Sequence, residues 1–368
     1  MKKVFSTMLL CSVLFVGTAF ADDFDKPFLT KRFPAASIAQ LDVQTSGGSI
    51  EVLGTADGEA VVEVYIRPSS YRGKKDDWTQ KKIQEVLDKY YKLEVELVRG
   101  ELLVSAKRHP DFAKWTAQTG LSISFKIRVK QNTHSNLKTS GGSIRMEQLS
   151  GTQRFSTSGG SLRLHGLSGY IEGRTSGGSI KVYDSKDQVR LSTSGGSLEA
   201  QNCRGDLELR TSGGSVNLSN LEGTITASTS GGSLRFRDIK GNLNATTSGG
   251  SVQGENVEGV LKTSTSGGSI RLSGISGDLE ASNSGGGIQV SMRSVKNYVY
   301  LRNSGSVTLN LPGNQGYDLN ITGSSVSMGN HLRNFSGRVE SRRVEGSLNG
   351  GGPRIELRSS QKVSVNFE

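Results

Sequence analysis

The stretch TSGGSLEAQNCRGDLELR, residues 193–210, decides the fold. Its first five residues recur as Thr-Ser-Gly-Gly-Ser beginning at Thr139, Thr157, Thr175, Thr193, Thr211, Thr229, Thr247 and Thr265, with the variant Asn-Ser-Gly-Gly-Gly at Asn283. Every interval is 18 residues, and an isolated earlier copy begins at Thr45. A flexible linker has no reason to hold such a phase, whereas a stacked structural unit does.

Aligned on that Thr, position 6 is apolar in every unit: Ile144, Leu162, Ile180, Leu198, Val216, Leu234, Val252, Ile270 and Ile288. Position 11 follows with Leu149, Leu167, Cys203, Leu221, Ile239, Val257 and Ile275, and positions 15 and 17 carry pairs such as Leu207/Leu209 and Leu279/Ala281. Period-2 apolar pairs between Gly-rich turns read as short strands, and no 3.6-residue period competes. The prediction is an all-β parallel β-solenoid of 18-residue coils, two strands per coil, stacked about 4.8 Å apart. The Gly pair at positions 3 and 4 is expected to turn the chain with positive φ. The Thr at position 1 is expected to point inward and stack as a hydroxyl ladder. No Pro interrupts residues 111–311, as continuous pairing requires.

Composition agrees once the order is known. The 368 residues include 48 Gly, 6 Pro and 2 Cys, with 33% hydrophobic residues and a formal charge of +11. Collagen needs Gly at every third position with abundant Pro, a disulfide scaffold needs Cys, and a helix bundle does not tolerate this much Gly. Of 30 Gly within residues 139–302, 25 fall at positions 3, 4 and 13. They mark corners, not flexibility.

Residues 1–21 read as a signal peptide: Lys2 and Lys3, an apolar run from Val4 to Val16, then Ala19-Phe20-Ala21 as a small-x-small cleavage pattern. Leu10 before Cys11 is wrong for a lipoprotein site. The mature chain is expected from Asp22, exported to the periplasm or the cell surface, and no stretch reaches transmembrane length. Export leaves Cys203 as the lone cysteine, and position 11 makes it a small buried hydrophobe.

Residues 22–138 read as an N-terminal coil with an α/β cap. It holds a coil-like unit at Ser37–Leu53, a strand at Ala60–Ile66, and a helix from Trp78 to Tyr91 capped by Asp77. Strands follow at residues 92–98, 101–107 and 121–130. Residues 139–302 are the regular solenoid. Residues 303–368, which include the strand pair Arg354–Arg358 and Lys362–Phe367, are expected to be irregular terminal coils that close the stack.

An exported chain with serial [ST]-S-G-G-S-[ILV] units and a helix-bearing insertion resembles the bacterial adhesin-like domain family of β-strand-repeat cell-envelope proteins, largely of unknown function. The resemblance covers roughly residues 37–368. It implies a parallel β-solenoid in the cell envelope and supplies no catalytic or cofactor-binding residues.

The residues themselves point away from catalysis. His109, His134, His165 and His331 are scattered without metal-ligand spacing, and the recurrent Ser lacks a phased His. Asp184 and Asp187 form a local carboxylate pair that reads as a solvated turn. The Gly-Gly-x-Gly-x-Asp signature of calcium-binding β-rolls is missing. Hydroxyls flanking a Gly-Gly corner differ from the flat outward array of ice binders. The positive excess divides as +3, +4 and +2 over residues 22–138, 139–302 and 303–368, too thin for a nucleic-acid patch.

One local order remains. Position 7 holds Arg145, Arg163, Lys181, Arg235 and Arg271, interrupted by Glu199, Asn217 and Gln253. On stacked coils these line one face, a candidate ladder for anionic envelope glycans or lipid headgroups. Phe112 and Trp115, with Tyr90 and Tyr91, are a candidate aromatic contact for sugar or protein. The sequence thus predicts a non-enzymatic adhesion or scaffold module with no cofactor. A glycan-processing solenoid enzyme and a self-assembling envelope element are the alternatives.

Overall fold

Alternating burial along Ile144–Glu147 and Ser150–Thr157 makes two strands of the first regular unit, and the pattern returns in every later coil. In the computed structural model, which describes residues 26–69, 78–112, 119–329 and 334–368, strand residues of the regular coils pair in parallel with those 18 positions on. Leu162 lies opposite Ile180, which lies opposite Leu198, which lies opposite Val216. About ten such coils form a parallel β-solenoid with a single α-helix among the described residues. From Val216 to Asn283 the two strands of a coil run together as one 14-residue strand, first Val216–Thr229. The signal-peptide segment, the Asp77 cap, Trp115 and His331 lie outside the described residues.

The core is a set of apolar columns. Every position-6 residue from Ile144 to Ile288 is at most 2% exposed. Burying a Leu or Ile side chain fully stabilises by about 1.5–3 kcal/mol, and one coil alone has nothing to bury it against. Large and small residues compensate between coils. A Cβ on Gly173 would lie 2.0 Å from the Phe155 ring, and one on Gly254 would lie 2.1 Å from the Phe236 ring. Each Phe therefore occupies the space its neighbour's Gly leaves free.

The Gly-Gly corner works differently from the expectation. None of the glycines at positions 3 and 4 has φ in the left-handed region. At position 4 the constraint is space: a Cβ on Gly160 would lie 1.9 Å from the carbonyl oxygen of Gly142, one coil below. At position 3 a Cβ on Gly159 would meet nothing nearer than 3.6 Å. Positive φ belongs to position 13 (Gly205, φ 114; Gly223, φ 124) and to position 10 (Asn202, φ 55; Asn220, φ 51). Asn, Asp and Gly predominate at position 10 because they tolerate that conformation best.

Both ends depart from sequence order. The coil Gln40–Thr45/Ile50–Thr55 lies between Glu101–Arg108/Leu121–Lys130 on one side and His134–Thr139/Ile144–Glu147 on the other. Antiparallel strands Tyr91–Val98, Glu59–Pro68 and Leu29–Pro34 finish the amino end. The helix α1, Gln80–Tyr90, buries Ile83, Val86 and Leu87 and is capped by Thr79, whose hydroxyl accepts from Lys82 N–H at 3.3 Å. At the carboxyl end, Arg354–Ser359 inserts between the Ile288–Asn303 strand and Tyr317–Thr322. Lys362–Phe367 likewise inserts between Val307–Leu311 and Ser325–Met328. The final strand pair is therefore internal to the stack. Closure falls to the antiparallel strands Phe335–Val339 and Arg343–Leu348. A parallel register is satisfied equally by a neighbour above or below, so periodicity alone cannot order the coils.

Candidate functional site

Most of the repeated motif is consumed in holding coils together. The position-1 Thr is buried, and its hydroxyl bridges two corners. Thr193 Oγ1 donates to the Gly178 carbonyl at 2.7 Å and accepts from Gly196 N–H at 3.3 Å. The same link repeats at Thr157, Thr175, Thr211, Thr229, Thr247 and Thr265, so the inward hydroxyl ladder runs through backbone groups. Asn283 substitutes for Thr with Nδ2 at 2.8 Å from the Gly268 carbonyl and Oδ1 accepting from Gly285 N–H. The position-5 Ser adds an outer stitch, as where Ser161 N–H donates to the Ser143 hydroxyl at 3.1 Å.

What is left for partners is the outward set of columns. Positions 7 and 9 share one sheet face. All five predicted basic residues, Arg145, Arg163, Lys181, Arg235 and Arg271, are exposed there in one in-register column. They are not electrically equal. Glu147 pairs with Arg145, and Glu199 lies 3.1 Å from Lys181. Hydrogen bonding to those carboxylates raises the pKa of both cations. Arg235 Nε donates to Gln253 at 3.3 Å. Arg163 and Arg271 have no carboxylate partner among the described residues. Toward the carboxyl end the same face forms a groove of about 820 Å³, in which Arg235, Arg237 and Arg271 lie among Gln201, Asn217 and Gln253.

The aromatic candidates part company. Phe112 ends a short 3-10 turn, Pro110–Phe112. Tyr91 is buried, and its hydroxyl donates to the Thr119 carbonyl and accepts from Leu121 N–H at 2.8 Å, so it bolts the cap together. Arg108 lies over both Tyr90 and Tyr91. Asp184 and Asp187 both have positive φ. Asp184 accepts from Asn202 and pairs with His165 at 3.0 Å, while Asp187 accepts from Gly169 N–H at 2.9 Å. Both carboxylates hold corners.

Sequence reasoning missed two features. Asn220, Asn202, Asp184 and His165 form a hydrogen-bonded ladder along one edge, legible in the Asn/Asp/Gly column at position 10. Tyr298 and Tyr300 stack at 4.5 Å on the other outward face, where a two-residue insertion hides them from the 18-residue alignment. Asp278 fixes that insertion, accepting from the N–H groups of Asn297 and Tyr298. Among the described residues no group of three His, Cys, Asp or Glu side chains could hold a metal, and no helix is long and apolar enough to cross a membrane.

A family model, Toastrack DUF4097, matches residues 114–361. No curated protein matches the chain. Among solved structures, one from Clostridium sporogenes ATCC 15579, titled a "putative cell adhesion protein", is similar over 92% of this chain and 98% of that one, at 7% identity and a TM-score of 0.18.

Proposed function

This chain belongs to the Toastrack DUF4097 family, and from that premise we propose that it is an exported, non-enzymatic adhesion or scaffold module of the bacterial cell envelope. The observation that carries the reading is the division of labour in the repeat. Thr, Gly and Ser of the motif are committed to coil-to-coil contacts, so the chain presents partners with rigid, in-register outward columns. Individually weak contacts along such a column combine, because each successive one is made at high effective concentration. The signal-like leader supports export.

The ligand class that fits the position-7 face is an anionic envelope glycan. Arg163 and Arg271 supply charge not already met by a carboxylate, and the amide-rich groove around Arg271 supplies donors and acceptors for sugar hydroxyls. The test is binding of the mature chain to an immobilised uronic-acid polymer across a salt series. Affinity should fall with salt, and replacing Arg163 and Arg271 by Ser should weaken it at least tenfold. Unchanged binding by a folded double variant discards the face.

A second reading, end-to-end self-association, has one observation in its favour. Phe335–Val339 is paired on one side only among the described residues, and Val339 is 54% exposed. Sedimentation separates the two, because reversible filaments require association and a stable monomer opposes it.

A further inference from the structure

We propose that the carboxyl-terminal end of the corner formed by positions 18, 1 and 2 is a subsite for an acidic saccharide, a sugar carrying a carboxylate or a phosphate. It lies in a different column from the position-7 face and goes beyond that reading.

The insertion of the last coil creates this site. Arg302 and Arg358 are 56 positions apart, yet they lie opposite each other on adjacent parallel strands, and Thr322 and then Arg343 follow in register. Like charges directly opposite one another cost stability unless something between them is negative. Glu356 pairs with Arg358 at 2.9 Å and Glu345 with Arg343 at 2.8 Å. Arg302 has no carboxylate partner among the described residues. The three guanidinium groups line an open groove of about 680 Å³ together with Ser284, Ser304 and Ser360. A planar fork of N–H donors of this kind is suited to carboxylate or phosphate oxygens.

A second observation turns the anion into a sugar. Asn303 lines the same groove, is 7% exposed, and has an Oδ1 with no hydrogen-bond partner. Its Nδ2 donates to the Ser306 carbonyl at 2.8 Å, which fixes the oxygen as the free end of the amide. In every earlier coil the equivalent side chain is satisfied; here the motif has lost one Gly and the wire breaks. A buried acceptor without a donor is costly, so although the oxygen is sealed beneath the groove wall, a ligand hydroxyl that enters as the amide turns toward the groove would relieve it. The stacked pair Tyr298 and Tyr300 projects from the same face of the same strand as Arg302, which places an aromatic surface for the apolar face of a sugar ring beside the groove.

Isothermal titration calorimetry on the full mature chain tests this with four probes: trigalacturonate, galactose 6-phosphate, neutral galactotriose and inorganic phosphate. At least one acidic sugar should bind tenfold or more tightly than galactotriose and than inorganic phosphate; the tighter of the two identifies the anionic group. Arg302→Ser, an exposed residue without an ion pair, should weaken acidic-sugar binding at least tenfold, and so should Tyr300→Ala. Asn303→Thr should weaken sugar binding several-fold. Replacing Arg163 and Arg271 should change nothing here, which separates this site from the position-7 face. The proposal is overturned if galactotriose or inorganic phosphate binds as tightly as the acidic sugars, if neither acidic sugar binds, or if folded Arg302→Ser binds like the parent chain.

Discussion

The hydroxyl of Thr157 donates to the carbonyl of Gly142, one coil below, at 2.8 Å. The same oxygen accepts from Gly160 N–H within its own coil. One buried side chain thus satisfies a donor and an acceptor that the close approach of two glycine corners has removed from water and from the strand ladder.

Replacing Thr193 by Val keeps the shape and strands both backbone groups. A buried unsatisfied group costs about 1–3 kcal/mol, so Thr193→Val should lower the thermal midpoint clearly while Thr193→Ser recovers most of the loss. Circular dichroism melts check this; a Val variant as stable as the parent contradicts the bridging role.

Adjacent glycines in one corner should respond very unequally. A Cβ on Gly196 would lie 2.1 Å from the Gly178 carbonyl oxygen, whereas one on Gly195 meets nothing closer than 3.5 Å. Gly196→Ala should cost more than about 4 kcal/mol, a size reserved for steric or buried-polar failures, and Gly195→Ala less than about 1 kcal/mol. Equal tolerance of both would return the corner to a matter of φ.

Cys203 gives a pH dependence with a definite sign. Burial is the main cause that pushes its thiol up to about 11 from an ordinary value of 9.0. The folded chain therefore holds the proton after the unfolded chain has released it. The stabilisation is complete below pH 9 and is lost as pH rises toward 11, a change of about 2–3 kcal/mol. Chemical denaturation from pH 8 to 11 should show that fall, and Cys203→Val should remove most of it. Native Cys203 should also react with a thiol reagent far more slowly than the denatured chain.

The position-7 cations should not contribute alike. Arg145 is already paired with Glu147, so Arg145→Ser should weaken binding to an anionic glycan less than Arg163→Ser, by a factor of a few. Surface-plasmon titrations of the single variants at one salt concentration decide it, and equal losses contradict the pairing argument.

The repeat was the legible part of this protein. Position 6 and position 11, Cys203 included, pack as the alternation predicts, because a period of 18 fixes which side of the sheet each residue faces. The Gly-Gly pair was misjudged for a physical reason: φ and close approach both select glycine, and one sequence cannot separate them. The helix cap moved from Asp77 to Thr79, a shift of two residues that composition does not resolve. The position-7 column was legible, but its neutralisation by Glu147 and Glu199 depends on which rotamers meet across strands. The Arg302–Arg358–Asn303 cluster was not legible at all. It exists because the final strand pair enters the stack out of order, and nothing in a parallel register announces that.

The most direct test of the account is to delete one whole unit. Removing residues 193–210 joins Ser192 to Thr211, and the 18-residue register predicts a folded, shorter solenoid melting within a few degrees of the parent. Removing residues 193–209 shifts the following chain by one position and turns its apolar columns outward, so that variant should fail to fold. Comparable melting of the two deletions, or unfolding of the 18-residue one, would contradict the claim that the coil is the structural unit on which the outward columns are built.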